Sequence, residues 1–206
     1  MMERFISSLE AAPIVNVGGY EYFIHPITDG VPRVEPAVLE EVVGAMLRFS
    51  SLDCDIILAP EAMGIPLGAI ISLRTGIPYV VARKRRYGLL GEVEIGRSTG
   101  YSKGSMYIND VRMGERVMII DDVLSTGGTL RPILLALKRA GAQIAEVLVA
   151  VEKGSAGEKL EREFGVRLFD RNTRRVELTD AGRRYFELCT HLVDEARLAQ
   201  EALRES

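Results

Sequence analysis

The chain has 206 residues, 47 % of them hydrophobic and 27 % charged, with a formal net charge of −3. This is ordinary globular composition, ample for a buried core, and it gives no general attraction to nucleic acid or acidic lipid. No apolar run approaches the roughly 18–20 residues that span a bilayer, and the opening MMERFISSLEAAPIV carries Glu3 and Arg4 in place of a signal peptide's apolar stretch.

The periodic part begins at PAVLEEVVGAMLRF, residues 36–49. Pro36 suits a first helical turn, and Val38, Leu39, Val42, Val43, Met46 and Leu47 fall on one face, so the stretch is expected to be a helix. DIILAP then reads as a buried strand and GIPLGAIISLRTG as a helix ended by Gly76. IPYVVA reads as a second strand. Residues 83–105, RKRRYGLLGEVEIGRSTGYSKGS, hold five glycines, many charges and no sustained period. A connection of that length inside a domain is expected to be a mobile lid or a solvated loop. RVMII is a third strand, LRPILLALKRAG a helix and IAEVLVAVE a fourth strand. Short apolar strands separated by amphipathic helices predict an α/β fold, a parallel sheet covered on both faces.

After about residue 154 the character changes. GEKLEREFG looks helical, VRLFDRNTRRVELT alternates as a hairpin does, and DAGRRYFELCTHLVDEARLAQEALRES is a long amphipathic helix. The expected organisation is a domain over 1–153 and a C-terminal extension over 154–206. Cys54 and Cys189 fit no metal or redox spacing and are expected to be reduced thiols in a cytoplasmic protein.

The chemistry concentrates in VMIIDDVLSTGGTL, residues 117–130. Ligands of open parallel sheets bind beyond the carboxyl ends of the strands, which is where Asp121 and Asp122 fall. Two carboxylates suit the vicinal hydroxyls of a ribose, and they also suit Mg²⁺, held directly or through water. Gly127 and Gly128 let successive N–H groups converge on an anion, with Ser125, Thr126 and Thr129 adding hydroxyl donors and a helix N-terminus following. The pattern predicts one ligand carrying a sugar diol and a terminal phosphate. No G-x-x-x-x-G-K-[ST] and no G-x-G-x-x-G occurs in the chain.

At these residues the sequence resembles a type I phosphoribosyltransferase. APEAMGIPLG is similar to that family's pyrophosphate loop, ARKRRYGLLGEVE and GYSKGSMYIND to its mobile catalytic loop. YFIHPITDGVPRVEPAVL extends the likeness to the archaeal hypoxanthine phosphoribosyltransferase group, related to the adenine enzymes. The likeness covers roughly residues 1–153.

The resemblance implies transfer of ribose 5-phosphate from 5-phosphoribosyl 1-pyrophosphate to a purine: hypoxanthine first, with guanine and adenine open. Asp121 and Asp122 would hold the ribose hydroxyls, and Ser125, Thr126, Gly127, Gly128 and Thr129 the 5-phosphate. Ala62, Met63 and Gly64 would offer backbone to pyrophosphate, Arg83 and Lys84 would meet its charge, and Tyr101, Ser102 and Lys103 would form the tip of the lid over 83–105. Mg²⁺ would bridge pyrophosphate and ribose oxygens, and a homodimer is implied. A hood within residues 1–33 would cap the base, with apolar contact from Val123 or Leu124. Ser125 stands where the common 6-oxopurine enzymes carry an aspartate, which removes one proton acceptor for the base. His25 could touch the base from the hood, although a histidine beside Pro26 also suits a structural role.

The segment from about 158 to 200 resembles the second half of a LysR-type winged helix, without the helix that reads a major groove. Arg167, Arg171, Arg174 and Arg175 could grip phosphates. The same stretch also suits a last helix and strand followed by a packing helix. A regulator sensing the sugar phosphate and touching DNA through this tail is the second expectation beside the enzyme. The RK and GYSK of the lid favour the enzyme.

Overall fold

A computed structural model describes residues 2–17, 20–98, 103–154 and 156–164. The hairpin and long helix expected beyond residue 164, with the winged-helix resemblance, lie outside the described residues, as do Tyr101 and Ser102. The chain opens with helix α1 (Glu3–Glu10), a hairpin of β1 (Ile14–Val17) and β2 (Tyr20–Phe23), and the single turn α2 (Pro26–Asp29). Helix α3 (Pro36–Phe49), strand β3 (Ile56–Pro60), helix α4 (Gly64–Thr75) and strand β4 (Tyr79–Ala82) follow where the apolar periods predict them. Then come β5 (Val93–Ser98), β6 (Lys103–Ile108), β7 (Arg116–Leu124), α5 (Leu130–Arg139), β8 (Gln143–Glu152) and α6 (Ala156–Phe164).

The four predicted strands form one parallel sheet in the order β4-β3-β7-β8. Side chains alternate across a strand, and the core divides accordingly. Leu58, Val117 and Ile119 pack with Ile133, Leu134 and Leu137 of α5 on one face. Ile57, Met118 and Ile120 pack with Val42, Val43 and Met46 of α3, and Leu67 and Ile71 of α4, on the other. Both faces are covered, which is why the strands read as unbroken apolar runs. Ala156 and Leu160 of α6 join the first of these clusters, so the core continues past residue 153.

Two expectations change. The sequence pattern ends the third strand at Ile120, whereas β7 continues to Leu124 and stays paired with β8 through Asp121↔Val149, Val123↔Val151 and Leu124↔Glu152. Polar side chains interrupt the apolar run without interrupting the backbone ladder. Residues 83–105 are not a structureless connection either. They contain β5 and the start of β6, antiparallel from Val93↔Ile108 to Ser98↔Lys103. Alternating Ile95, Met106 and Ile108 are buried in the core, but the strands are short and glycines interrupt them, which hid the period of two. Glu92 fastens the root of this hairpin: its carboxylate accepts from the N–H groups of Tyr87 and Gly88 and from Asn109 Nδ2, at 2.8, 3.0 and 3.3 Å.

Candidate active site

A cavity of about 310 Å³ opens at the carboxyl ends of β3 and β7. Asp121 and Asp122 line it from inside β7, each 8 % exposed. The Asp122 N–H donates to Asp121 Oδ1 at 3.0 Å. Burial pushes both carboxyls above the ordinary carboxylate range. After burial, the charge of Asp121 raises Asp122 in the same direction, with Asp29 contributing. The unliganded pair therefore binds a proton in conditions where an isolated aspartate is ionised.

Beyond the pair, Ser125, Thr126, Gly127, Gly128 and Thr129 form the next wall. Gly127 has φ +78°, a conformation side chains rarely adopt, and it turns the chain back over Leu160 of α6. The turn delivers Thr129 to the N-cap of α5, with the positive end of the helix dipole on the cavity side, while the Arg131 N–H already donates to the Gly127 carbonyl at 2.9 Å. The Thr129 side chain makes no cap hydrogen bond.

Opposite, Glu61, Ala62 and Met63 follow β3, and the Glu61–Ala62 peptide is cis. Gly64 does not line the cavity; it opens α4 and lies tight against β7, where an added Cβ would come 2.7 Å from the Ile120 carbonyl oxygen. Lys84 reaches the cavity and its N–H donates to Glu61 Oε2 at 3.1 Å. Arg83 does not line the cavity. Its backbone pairs both ways with Tyr107 and its Nε sits 3.7 Å from Glu61 Oε2, so the guanidinium is held at the rim. Val123 and Leu124 line the cavity. Lys103 opens β6.

The structure adds residues that the sequence does not single out, four of them within the hood that the resemblance expects to cap the base. Tyr22, Phe23, Thr28 and Asp29 of the hood line the cavity, with Lys153 from the end of β8. The Lys153 N–H donates to the Leu124 carbonyl at 2.7 Å, which sets that lysine beside the end of β7. The rule that placed the aspartates, ligand chemistry past the carboxyl end of a parallel strand, would have found it, since Lys153 directly follows the fourth predicted strand. The hood residues carry no such signal. His25 is fully buried: Nδ1 accepts from the Ile27 N–H at 3.1 Å, Nε2 lies 2.9 Å from Ser8 Oγ, and the ring stands edge-on to Phe5. Its role is structural, and burial lowers its pKa.

An α/β sheet with a carboxylate pair and a glycine turn at the ends of its strands has the chemistry that suits a phosphorylated sugar. The sequence matches the phosphoribosyl transferase domain over residues 39–178. The chain belongs to that family. It is 50 % identical over 168 residues to the hypoxanthine/guanine phosphoribosyltransferase of Methanohalophilus mahii, covering 82 % of this chain and 88 % of the relative. It is 55 % identical over 152 residues to the HGPRTase-like protein 2 of Natrialba magadii, covering 74 % and 84 %. Among solved structures, the adenine phosphoribosyltransferase of Thermoanaerobacter pseudethanolicus superposes with a TM-score of 0.66 over 82 % of this chain and 97 % of that one, at 21 % identity. That likeness speaks for the fold alone.

Proposed function

We propose that the protein transfers ribose 5-phosphate from 5-phosphoribosyl 1-pyrophosphate to a 6-oxopurine, hypoxanthine or guanine, releasing pyrophosphate in purine salvage. One observation carries the reading: two buried carboxylates share a cavity with a glycine turn at a helix N-terminus. Curated relatives at about this identity are named hypoxanthine/guanine phosphoribosyltransferase, which supports a salvage enzyme over a regulator.

Asp121 and Asp122 accept from the ribose hydroxyls, and residues 125–129 close on the 5-phosphate with N–H and hydroxyl donors. Ala62 and Met63 offer backbone to pyrophosphate, and Lys84 meets its charge. As the bond from C1 to pyrophosphate breaks, negative charge grows on the leaving group where Lys84 and these fixed donors already stand. The ring's developing positive charge sits near Asp121. A purine nitrogen attacks C1 from the face opposite the leaving group. Closure of the hairpin formed by β5 and β6 excludes water that would hydrolyse the activated sugar.

Magnesium fits this donor set. Among the described residues, Asp29, Glu61, Asp121 and Asp122 line the cavity together with Lys84 and Lys153, so a polyphosphate entering beside these carboxylates is helped by a cation. Among the described residues no group of three or more His, Cys, Asp or Glu is arranged to hold a metal. Asp121 and Asp122 would hold Mg²⁺, directly or through water, together with oxygens of the substrate. The ion supplies Lewis-acid charge at the pyrophosphate oxygens.

Lys153 decides the base class. An ammonium donates only, so it suits the 6-oxo group of hypoxanthine or guanine and opposes the 6-amino group of adenine. Lys153→Met is expected to raise KM for 6-oxopurines by roughly 10- to 100-fold while leaving KM for the sugar substrate unchanged. The sequence resemblance implies a homodimer, and we read the protein as cytoplasmic; among the described residues no helix is long and apolar enough to cross a membrane. A turnover assay with the activated sugar, Mg²⁺ and each of hypoxanthine, guanine, adenine and xanthine tests the reading. Product with hypoxanthine or guanine is expected, and no product with any purine overturns it.

A further inference from the structure

The transferase reading leaves one carboxylate of the cavity without a task. Asp29 ends α2 in the hood, lines the same cavity as Asp122 and Lys153, and acts electrostatically on Asp122. It is held unusually firmly for a half-buried side chain. Its Oδ2 accepts from the His25 N–H at 2.9 Å and from Thr28 Oγ1 at 2.6 Å, and its Oδ1 accepts from the Tyr22 hydroxyl. An ionised carboxylate has about four acceptor positions. Three are filled by residues of the hood itself, which leaves one on Oδ1.

Three residues share that part of the cavity with it: Tyr22, Phe23 and Lys153. Residues 121–129 take the sugar and its phosphate, and residues 61–63 with Lys84 take pyrophosphate, so the hood wall and Lys153 are left for the base. Tyr22 and Phe23 stack at 6.2 Å between ring centroids, 20° from parallel, a flat apolar surface of the kind a heteroaromatic ring covers. Lys153 presents a donor to an oxo group. A carboxylate presents only an acceptor, and in a 6-oxopurine the atom next to the 6-oxo group is N1–H, a donor. Guanine adds its 2-amino group on the same edge. Adenine reverses both positions.

We propose that Asp29 is a specificity-determining residue that accepts from the N1–H edge of a 6-oxopurine, with Tyr22 and Thr28 as the positioning residues that fix its open oxygen. The assignment rests on the transferase reading above. It also supplies, from the opposite wall, the acceptor that Ser125 lacks. Selection follows from mismatch: adenine would set an unprotonated N1 against a carboxylate and an amino group against an ammonium, leaving buried polar groups unpaired.

Steady-state kinetics of the full chain with hypoxanthine, guanine and adenine test this for the wild type, Asp29→Asn and Tyr22→Phe. Asp29→Asn keeps the shape and the acceptor for the His25 N–H while offering an amide N–H₂ to the base. It is expected to lower kcat/KM for both 6-oxopurines by roughly 10- to 100-fold, mainly through KM for the base, with KM for the activated sugar within about twofold. The ratio of hypoxanthine to adenine use moves toward adenine by at least about tenfold. Tyr22→Phe keeps the carboxylate, loosens it, and shifts the same parameters in the same direction by about two- to fivefold. A raised KM for the sugar with unchanged base KM would put Asp29 on the phosphate side and overturn the assignment. An equal loss with every purine, accompanied by a lower Tm, would also overturn it, since that is the signature of a hood fold support. If the wild type uses hypoxanthine and Asp29→Asn keeps its base KM, the assignment of Asp29 fails alone; if the wild type uses no purine, the transferase reading fails first.

Discussion

The double variant Asp121→Asn, Asp122→Asn is expected to lose turnover by about 10³-fold or more while its unliganded form melts at a higher temperature than the wild type. Both effects come from one cause. The two carboxylates are nearly buried, adjacent, and hydrogen-bonded through the Asp122 N–H. On the proposed reading the two acceptors take a ribose diol and a divalent ion. The same arrangement in the free protein buries two carboxyls, so near neutral pH the fold must take up a proton or desolvate a charge. Asparagine keeps the shape and removes that cost, which should return roughly 1–3 kcal/mol of stability. Initial rates at saturating activated sugar, together with calorimetric melting without ligand, measure both. Activity that survives the double change would move the chemistry elsewhere in the cavity.

The pair also fixes a pH dependence. Both folded-state pKa values are raised above their unfolded ones, first by burial. The folded state therefore binds more protons than the unfolded chain, and stability falls as pH climbs from about 4, the unfolded carboxylate range, through neutrality. The unliganded wild type should lose Tm over that window, and the double variant should lose less. A bound cation removes the difference by holding both carboxylates charged, so Mg²⁺ with the activated sugar should release protons on binding. Calorimetry in two buffers of different ionisation heat reads that release, and no buffer dependence would count against it.

Most of the fold is legible because its determinants are local and repeated. The four parallel strands and helices α3, α4 and α5 follow from apolar periods that a helix or a doubly covered strand requires. The acidic pair and glycine turn are legible because they form one continuous stretch. What stayed hidden depends on contacts distant in the chain. Asp29 meets the cavity because the hood folds back over β7, some ninety positions on. Arg83 carries the charge that a pyrophosphate ligand needs, yet its pairing with Glu61, two elements earlier, holds it at the rim. The β5–β6 hairpin escaped because Gly96 and Gly104 face each other's strands near Gly96↔Ser105 and Arg97↔Gly104, where side chains would have displayed the alternation.

Gly64→Ala should be the most damaging alanine substitution among the described glycines, and its effect separates position from charge. An added Cβ would lie 2.7 Å from the Ile120 carbonyl oxygen, 3.0 Å from Pro60 Cδ and 3.4 Å from Asp121 Oδ1. Two of these neighbours are backbone and a proline ring, so the start of α4 must move away from β7. That displacement carries Ala62 and Met63 with it and disturbs Asp121, so the sugar-binding and pyrophosphate walls shift apart. Overpacking of this kind costs about 1–3 kcal/mol. A misplacement near 1 Å is enough to lower kcat/KM by roughly 10²-fold. Gly76→Ala is the matched control, since it has φ +76° and nothing within 4 Å of its added Cβ. It should cost about 1 kcal/mol through backbone strain and leave kcat/KM for the activated sugar unchanged. Equal kinetic loss in the two variants would mean that general destabilisation, and not the approach of α4 to β7, governs activity. A larger loss for Gly64→Ala at matched folded fraction ties catalysis to the spacing between the two walls, a quantity no charge in the cavity can restore.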